Sequence, residues 1–295
     1  NFKELERIMG KKNIGVIGRG FVGSAVAHGF SPSVGYEATV RVYDKDPTKK
    51  ECELDEVVRE SDVVFISVPT PSNKDGSINL DILFQCLSEI NEAYQPEFET
   101  IFLVRSTIVP GTTRKLQEKF PSLRLVFNPE FLTERSANFD FISQSRFVLG
   151  GERKDTDIVA NLYRHRFGES IAIIESNFET AELIKYACNT YFATKVSFLN
   201  EMRLIADAVN ADWDKMIDGF IRDGRIGSSH TNGPGPDGKF GFGGSCFPKD
   251  IQAMIHFGNE INLDLHVLKG AWKTNLDVRP ERDWEKLLGR AIVDD

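Results

Sequence analysis

Cys246 lies in the segment whose composition most favours chemistry, the run Phe240–Asp250, where glycines and aromatic residues precede the cysteine. Pro248 is a natural first-turn residue of a helix, so Cys246 should stand at or just before a helix N-terminus. The helix dipole and Lys249 favour a thiolate there, and Asp250 can orient the thiol or accept a proton. A free cysteine is usually buried and inert. A glycine loop favours the reactive alternative, since ligands can come close to its glycines, which are Gly238, Gly241, Gly243 and Gly244.

A lysine and an asparagine four residues apart form a second candidate pair. Lys185 and Asn189 lie in a stretch of helical periodicity, and residues at this spacing share one face of a helix. An ammonium group among apolar neighbours can stabilise an oxyanion. The alternative is a lysine whose charged end reaches solvent beside a polar surface asparagine, which the pair alone does not exclude.

Polar clusters also follow two apolar runs that we predict to be strands. These clusters are Ser106–Gly111 and Asn128–Glu134, and loops after the carboxyl ends of strands line the ligand crevice of open α/β sheets. Glu130 and Glu134 are four residues apart, and either can act as a general base for water. Capping and solvation of helix starts are the alternative roles for both clusters. Val68–Pro71 is a further loop of this kind, for which a rigid turn is an adequate explanation.

A dinucleotide fingerprint lies near the beginning of the chain. Gly18, Gly20 and Gly23 follow a predicted strand and open a helical pattern, as GxGxxG requires. The helix N-terminus would then face the phosphates of the ligand. Asp44 ends the second predicted strand, where a carboxylate accepts hydrogen bonds from ribose hydroxyls and repels a 2′-phosphate. The motif therefore predicts NAD over NADP, against the alternative of a glycine-rich turn that binds nothing.

The elements that must position these residues fall into two regions. Up to about residue 175, apolar runs rich in Val, Ile and Phe alternate with amphipathic stretches, which predicts a doubly wound α/β domain. These runs are Asn13–Ile17, Thr39–Tyr43, Val63–Val68, Thr100–Val104, Arg124–Phe127, Arg146–Leu149 and Ile171–Ile174. We therefore predict an NAD-binding Rossmann domain over residues 1–175.

The remainder of the chain, residues 176–295, is predicted to be a helical domain that carries the cysteine loop. From Phe178 to about Val209 neither glycine nor proline interrupts the helical spacing of apolar residues. One helix of this length would be about 48 Å long, which suggests a spine between two domains or two subunits. Further helices are predicted at Trp213–Arg222, Pro248–Phe257, Leu263–Leu276 and Pro280–Ala291.

Composition narrows the classes of function. The 295 residues carry a net charge of −8 with a pI near 5.3, which argues against a nucleic-acid or anionic-membrane surface over the whole protein. We find no apolar run that approaches the length of a membrane span and no signal peptide. The four cysteines lack the spacing of a zinc site, so we expect no metal. A reduced, cytoplasmic protein is therefore expected. Met9 has the context of a natural start, and the residues before it are left out of the fold reasoning.

Taken together, these motifs resemble the UDP-glucose 6-dehydrogenases, within the wider UDP-glucose/GDP-mannose dehydrogenase family. The motifs that carry the resemblance are Gly18–Gly23, Val68–Pro71, Ser106–Gly111, Asn128–Glu134, Glu182–Asn189 and Gly241–Asp250. The resemblance implies a four-electron oxidation of the C6 alcohol of a nucleotide sugar with two NAD per turnover. Cys246 would hold the aldehyde as a thiohemiacetal and then as a thioester, which water hydrolyses to the uronate.

The resemblance also implies roles for individual residues, and it implies a homodimer. Catalytic roles would fall to Cys246, Lys185, Asn189, Asp250, Glu134 and Thr107. The NAD site would be lined by Gly18, Gly20, Phe21, Val22, Gly23, Asp44, Thr70, Thr107, Glu134 and Lys249. Substrate would be bound by Glu130, Phe131, Leu132, Lys185, Asn189, Phe240, Gly243 and, across the dimer, Arg225.

Two departures from the family pattern bear on the substrate. The loop His230–Lys239 is longer than the usual approach to the cysteine. The third, nucleotide-binding domain of the family does not follow in this sequence, as expected of either a short form or a truncated sequence. Two other functions stay open. A β-hydroxyacid dehydrogenase shares the Rossmann domain and the Lys-xxx-Asn pair but needs no cysteine, and an NAD or nucleotide-sugar binding module would not turn over at all.

Overall fold

A computed structural model describes residues 13–294, and within them the chain divides into two compact units. The first unit comprises residues 13–70 and 80–185, and the second comprises residues 71–79 and 186–294. The division falls inside the long helix, later than the domain boundary predicted at residue 175, and it assigns the segment 71–79 to the helical unit. Met9 lies outside the described residues.

The first unit is built on a seven-stranded sheet with the order β2-β1-β3-β4-β5-β6-β7. Neighbouring strands are parallel except β5 and β6, which meet in an antiparallel pairing of Phe127 with Gly150. The strands are β1 (Asn13–Ile17), β2 (Thr39–Tyr43), β3 (Val63–Ile66), β4 (Ile101–Val104), β5 (Arg124–Phe127), β6 (Arg146–Gly150) and β7 (Ala172–Ser176). All seven predicted strands are confirmed, with ends shifted by at most two residues.

Helices connect the strands and cover both faces of the sheet. They are α1 (Phe21–Gly29), α2 (Leu54–Glu60), α3 (Asp81–Ala93), α4 (Thr112–Lys119), α5 (Ala137–Ile142) and α6 (Arg153–Phe167). The residues of β3 and β4 are buried throughout, because alternate side chains enter one of two apolar cores on opposite faces. The predicted doubly wound fold is therefore confirmed, and its strand order reverses direction next to β1, where such sheets bind ligands.

The second unit is helical. Its helices are most of α7 (Phe178–Ala208), α8 (Trp213–Ile221), α9 (Phe247–Glu260) and α10 (His266–Val278). The 31 residues of α7 confirm the predicted long helix. A small apolar core of Ala193, Phe242, Ile251 and Ala271 joins α7, α9 and α10 to the glycine loop. No helix of the described chain is long and apolar enough to cross a membrane.

The helix predicted over Pro280–Ala291 is wrong. Only a short 3₁₀ helix, Asp283–Lys286, forms there. Arg282 takes a left-handed conformation with φ of 42°, and Gly289 has φ of 71°, so a continuous right-handed helix cannot pass through either residue. The chain instead turns back. Val293 N donates to the Ser72 carbonyl group, and Ser72 N donates to the Ala291 carbonyl group. These backbone hydrogen bonds form in place of the helix that the spacing of apolar residues predicts.

Candidate active site

The three fingerprint glycines meet different surroundings, as the dinucleotide prediction requires. Gly18 has φ of +91°, and a Cβ atom placed on it would lie 2.5 Å from the carbonyl oxygen of Ser67. A Cβ atom on Gly23 would lie 1.8 Å from the carbonyl oxygen of Gly18, so α1 can approach β1 this closely only with glycine. Gly20, directly before α1, has no neighbour within 4 Å of such an atom. Open space at the helix N-terminus is what an approaching pyrophosphate needs.

Asp44 is fixed at the end of β2 by backbone donors. Its Oδ2 atom accepts from Arg19 N at 2.6 Å, and its Oδ1 atom accepts from Asp46 N at 2.8 Å. Each carboxylate oxygen has a further lone pair, so the group can still accept hydrogen bonds from ribose hydroxyls. The Arg19 side chain is drawn to Glu51 at 2.8 Å and to the carbonyl group of Lys49. The arrangement fits an adenosine ribose that bears free hydroxyls.

The loops after β3 and β4 are joined by hydroxyl groups. Ser106 Oγ donates to the carbonyl group of Val68 at 2.6 Å, and Thr70 Oγ1 donates to the carbonyl group of Thr107 at 2.9 Å. Ser106 and Thr70 are buried, whereas Thr107 is only half-buried. These bonds hold Thr70 and Thr107 together at the carboxyl edge of the sheet, where both are predicted to line the NAD site.

Lys185 is a buried cation and does not reach solvent, so the surface alternative is wrong. Its side chain is 5% exposed, and Nζ lies 2.6 Å from the carbonyl oxygen and 3.1 Å from Oε1 of Glu130. Oε2 of Glu130 accepts from Leu132 N at 2.7 Å, and the Phe131 ring centre lies 5.4 Å from Nζ. Glu130 therefore fixes the ammonium group and the loop after β5 at once.

Glu134, the second glutamate of that loop, has a different environment. It is exposed at the start of a short 3₁₀ helix, Glu134–Ser136. The preceding Thr133 donates to Asp140 Oδ2 through its backbone N at 2.8 Å and through Oγ1 at 2.7 Å. These bonds hold the backbone beside Glu134, whose side chain is exposed, whereas Glu130 is buried against Lys185.

In the second unit, Asp250 joins two other predicted site residues. Asn189 Nδ2 donates to Asp250 Oδ2 at 2.6 Å, and Lys249 Nζ donates to Oδ1 at 2.8 Å. Asn189, Lys249 and Asp250 are all buried, and Asp250 is 1% exposed. The surface alternative for Asn189 is therefore wrong. Lys249, which we predict to line the NAD site, forms an ion pair with Asp250 in this structure.

Cys246 stands out among the four thiols by its exposure. It is the residue directly before α9, with Pro248 in the first turn as predicted, and Ser245 Oγ lies 3.8 Å from its Sγ atom. Burial raises the pKa of Cys86 to about 12 and also raises the pKa of Cys52, so both thiols stay protonated. A helix N-terminus in contact with solvent is the environment in which cysteines become nucleophiles.

The glycines before Cys246 serve two purposes, and sequence reasoning recognised one of them. Gly238 and Gly244 have open space, as ligand approach requires. A Cβ atom on Gly241 would instead lie 2.4 Å from Asn275 Oδ1, and one on Gly243 would lie 2.4 Å from an Arg279 nitrogen. At these two positions glycine is needed because buried polar side chains pack against the loop. Sequence reasoning missed both Asn275 and Arg279. Asn275 carried one signal, since it is a polar residue on the apolar face of the helix predicted over Leu263–Leu276, whereas Arg279 lies outside the predicted helices.

Two predicted substrate residues lie on the surface of the second unit. Phe240 is 38% exposed, and the Arg225 side chain is 90% exposed and forms an ion pair with Asp223 at 2.6 Å. The substrate-binding roles of Phe240 and Arg225 therefore stay predictions. Within residues 13–294, we find no cluster of His, Cys, Asp and Glu side chains that could hold a metal ion.

Comparison with known protein families assigns each unit separately. Residues 49–167 match the NAD binding domain of the UDP-glucose/GDP-mannose dehydrogenase family, and residues 179–277 match the central domain of the same family. Residues 3–89 also match the NAD binding domain of the D-isomer specific 2-hydroxyacid dehydrogenases. A shared NAD-binding domain explains the overlap of the two N-terminal matches.

Individual relatives agree with these matches. A UDP-glucose 6-dehydrogenase of Rickettsia typhi is 30% identical over 89% of this chain and 66% of the relative. The solved UDP-glucose dehydrogenase of Pyrobaculum islandicum is 27% identical with a TM-score of 0.77, over 94% of this chain and 70% of that structure. A 3-hydroxyisobutyrate dehydrogenase of Mycobacterium tuberculosis, at 18% identity and a TM-score of 0.72, shares the fold over 92% of this chain and 94% of that structure. The chain spans between 30% and 66% of the length of the curated relatives it matches.

Proposed function

The chain belongs to the UDP-glucose/GDP-mannose dehydrogenase family, and from this premise we propose that it oxidises the C6 alcohol of a nucleotide sugar with NAD, converting UDP-glucose to UDP-glucuronate through Cys246. One observation supports the proposal above the others. Cys246 is exposed at the N-terminus of α9, while Asp250 on the first turn of that helix is buried and bonded to Asn189 and Lys249. A pure binding module would have no need of an exposed thiol beside a buried charged pair.

The residues of the first unit fit the dinucleotide. The open space at Gly20, the fixed carboxylate of Asp44 and the joined Thr70 and Thr107 would hold the pyrophosphate, the adenosine ribose and the nicotinamide end respectively. NAD, when bound, supplies the acceptor for the hydride that leaves the sugar carbon. The chain itself must then handle the proton, the aldehyde and the water.

Each remaining step falls to a group with suitable chemistry. The Cys246 thiolate adds to the aldehyde carbon, a C–S bond forms, and the carbonyl oxygen takes up a proton to give the thiohemiacetal. The Lys185 ammonium and the Asn189 amide stabilise the oxyanions of the addition and hydrolysis steps. When the second hydride leaves the thiohemiacetal carbon, the hydroxyl proton is released and the thioester forms. Water then attacks the thioester carbon, the C–S bond breaks, Cys246 departs as the thiolate, and the uronate is released. Glu134, Thr107 and Asp250 position or deprotonate that water.

The NADH yield per substrate tests this proposal. We would incubate the protein with NAD and a limiting amount of UDP-glucose, a UDP-N-acetylhexosamine or GDP-mannose. The variant Cys246→Ala would be compared with the control Cys52→Ser, which changes a thiol that lies far from the glycine loop in the sequence. Two NADH per sugar, lost in Cys246→Ala, is the expected result. One NADH per sugar with an active Cys246→Ala variant would favour a two-electron β-hydroxyacid dehydrogenase, and NAD binding without NADH a binding module.

We also propose that the chain forms a homodimer in the cytoplasm through α7. Tyr191, Phe198 and Ile205 recur every seven residues along α7 and are 63%, 47% and 55% exposed. A stripe of this kind in a long helix suits pairing with a second copy. Light scattering should give about twice the chain mass of 33.2 kDa, and a mass of one chain would contradict the dimer.

A further inference from the structure

Arg279, just after α10, bonds two points of the glycine loop that leads to Cys246. It is 3% exposed, and each nitrogen of its guanidinium group has a partner. Nε donates to Asp283 Oδ1 at 2.6 Å, one terminal nitrogen donates to Asp237 Oδ2 at 2.6 Å, and the other donates to the carbonyl group of Phe240 at 3.2 Å. Asp237 and Phe240 belong to the loop, so one buried cation fixes two of its points.

Its neighbours fix the rest of the loop backbone. Asn275, which is fully buried, accepts from Phe242 N at 2.7 Å and donates to the Phe242 carbonyl group at 3.0 Å. Asp283, already bonded to Arg279, accepts from Gly244 N at 3.1 Å through its second oxygen. The backbone is therefore held up to the second residue before Cys246. The close approach of these side chains also accounts for the lack of side chains at Gly241 and Gly243.

The charges of this cluster compensate one another. Burial alone lowers the pKa of Arg279, but the hydrogen bonds to Asp283 and Asp237 outweigh it and raise the pKa overall. Bonds to Arg279 in turn lower the pKa of Asp237 and Asp283 against the opposing effect of burial. The cluster thus keeps its charges over the whole neutral range. An ammonium group would hold the cluster less well, because it lacks the fixed fork that reaches two carboxylates and a carbonyl group at once.

We propose that Arg279 is the positioning residue of Cys246: through Asp237, Asp283 and the Phe240 carbonyl group it holds the loop in the conformation that presents the thiol. The proposal rests on the proposed function in so far as Cys246 is the nucleophile. Arg279 acts through these protein contacts, so its effect is on the geometry of the loop. Misplacement of a reacting group by about 1 Å can cost about 100-fold in rate, which sets the scale of the expected loss.

Four variants test the proposal. Arg279→Gln removes the charge, Arg279→Lys keeps the charge without the fork, and Asp237→Asn weakens one bond at an exposed partner and serves if Arg279→Gln fails to fold. Arg282→Gln is the matched control, since Arg282 lies three residues further on and is half-exposed beside Glu285. Amide hydrogen exchange over residues 240–245, melting temperature, NAD affinity and kcat would be measured for each.

We expect Arg279→Gln to raise amide exchange at residues 240–245 by at least tenfold and to lower kcat by 10- to 100-fold, with NAD affinity within twofold of the parent protein. Arg279→Lys should recover part of both losses, and Asp237→Asn should show the same changes at a smaller amplitude of two- to fivefold. Arg282→Gln should match the parent protein. A variant of Arg279 or Asp237 that melts earlier but keeps the loop exchange and kcat of the control would overturn the proposal and leave Arg279 a merely structural residue.

The two proposals fail in different ways. If the parent protein makes no NADH from any sugar, the proposed function fails, yet the exchange of residues 240–245 still decides whether Arg279 holds the loop. If NADH is made and depends on Cys246, but loop exchange and kcat are unaffected by Arg279→Gln and Asp237→Asn, the positioning role alone fails.

Discussion

Glu182 offers a sharp test of the electrostatics of the first unit. Its side chain is fully buried on α7, and it accepts from Gly111 N, Thr113 N and Thr113 Oγ1, all at 3.0 Å, where α4 begins. Burial raises the pKa of Glu182 from 4.5 to about 7, with a small contribution from Glu179, against the lowering effect of these hydrogen bonds. Glu182 therefore titrates near neutrality inside the fold and near its ordinary value in the unfolded chain.

The sign of the effect follows from proton uptake. Between the two pKa values the folded state binds a proton that the unfolded state has lost, so the free energy of unfolding falls as pH rises. The difference between the two pKa values corresponds to about 3 kcal/mol over the full range. Between pH 5 and pH 8 the two titration curves give a loss of about 2–3 kcal/mol in the free energy of unfolding, which is specific to Glu182.

Replacement of Glu182 by glutamine should remove this pH dependence. Glutamine keeps one acceptor oxygen and loses one hydrogen bond, which lowers the free energy of unfolding by about 1–3 kcal/mol at every pH. The difference in the free energy of unfolding between variant and parent should nevertheless shift in favour of the variant by about 2–3 kcal/mol from pH 5 to pH 8. The offset from the lost hydrogen bond cancels in this comparison.

Urea unfolding followed by circular dichroism is the suitable assay, because all three tryptophans (Trp213, Trp272 and Trp284) lie in the second unit and do not report on the first. Glu118→Gln, at an exposed glutamate of α4, is the control, and it should keep the pH dependence of the parent protein. Equal pH dependence of the parent protein and Glu182→Gln would refute the reasoning.

Three further predictions concern the first unit alone. Gly23→Ala should lower the free energy of unfolding by about 1–3 kcal/mol, since the new methyl group meets the Gly18 carbonyl oxygen. Gly20→Ala should keep the stability and weaken NAD binding at least tenfold in a fluorescence titration, and equal stability losses in the two variants would contradict this. Lys185→Met should lower the free energy of unfolding by about 3–5 kcal/mol by leaving the Glu130 charge buried and unpaired. Calorimetry would measure this loss of stability. Recovery of stability in the double variant Lys185→Met/Glu130→Gln would confirm that the unpaired Glu130 charge is its cause.

The sequence predicts the architecture well because its signals are local. Runs of β-branched residues mark the strands of the first unit, and the spacing of Gly18, Gly20 and Gly23 marks the turn into α1, so both could be placed before any tertiary contact was known. The continuous helical pattern after Phe178 likewise predicts α7. Local periodicity failed over Pro280–Ala291, where the backbone turns at Arg282 and pairs with Ser72, a residue more than 200 positions away in the sequence.

The partners of the buried charges could not be predicted in the same way. The sequence places Lys185 and Asn189 on one helical face, but it does not show that Lys185 pairs with Glu130, 55 residues earlier, or Asn189 with Asp250, 61 residues later. The same holds for Arg279 and Asp237, 42 residues apart. Such partners are chosen by tertiary packing, which composition and spacing do not encode.

The way in which each buried carboxylate is compensated separates its role from those of the others. Glu130 and Asp250 each face a lysine, and burial of such pairs adds little stability compared with apolar residues of the same volume. Their presence beside the candidate catalytic groups is therefore better explained by charge held in place for a reaction than by stability. Glu182 accepts from the neutral groups of Gly111 and Thr113, and burial raises its pKa to about 7. By this reasoning Glu182 connects α7 to α4 in a pH-dependent manner, while Glu130 and Asp250 each hold a lysine within their own unit.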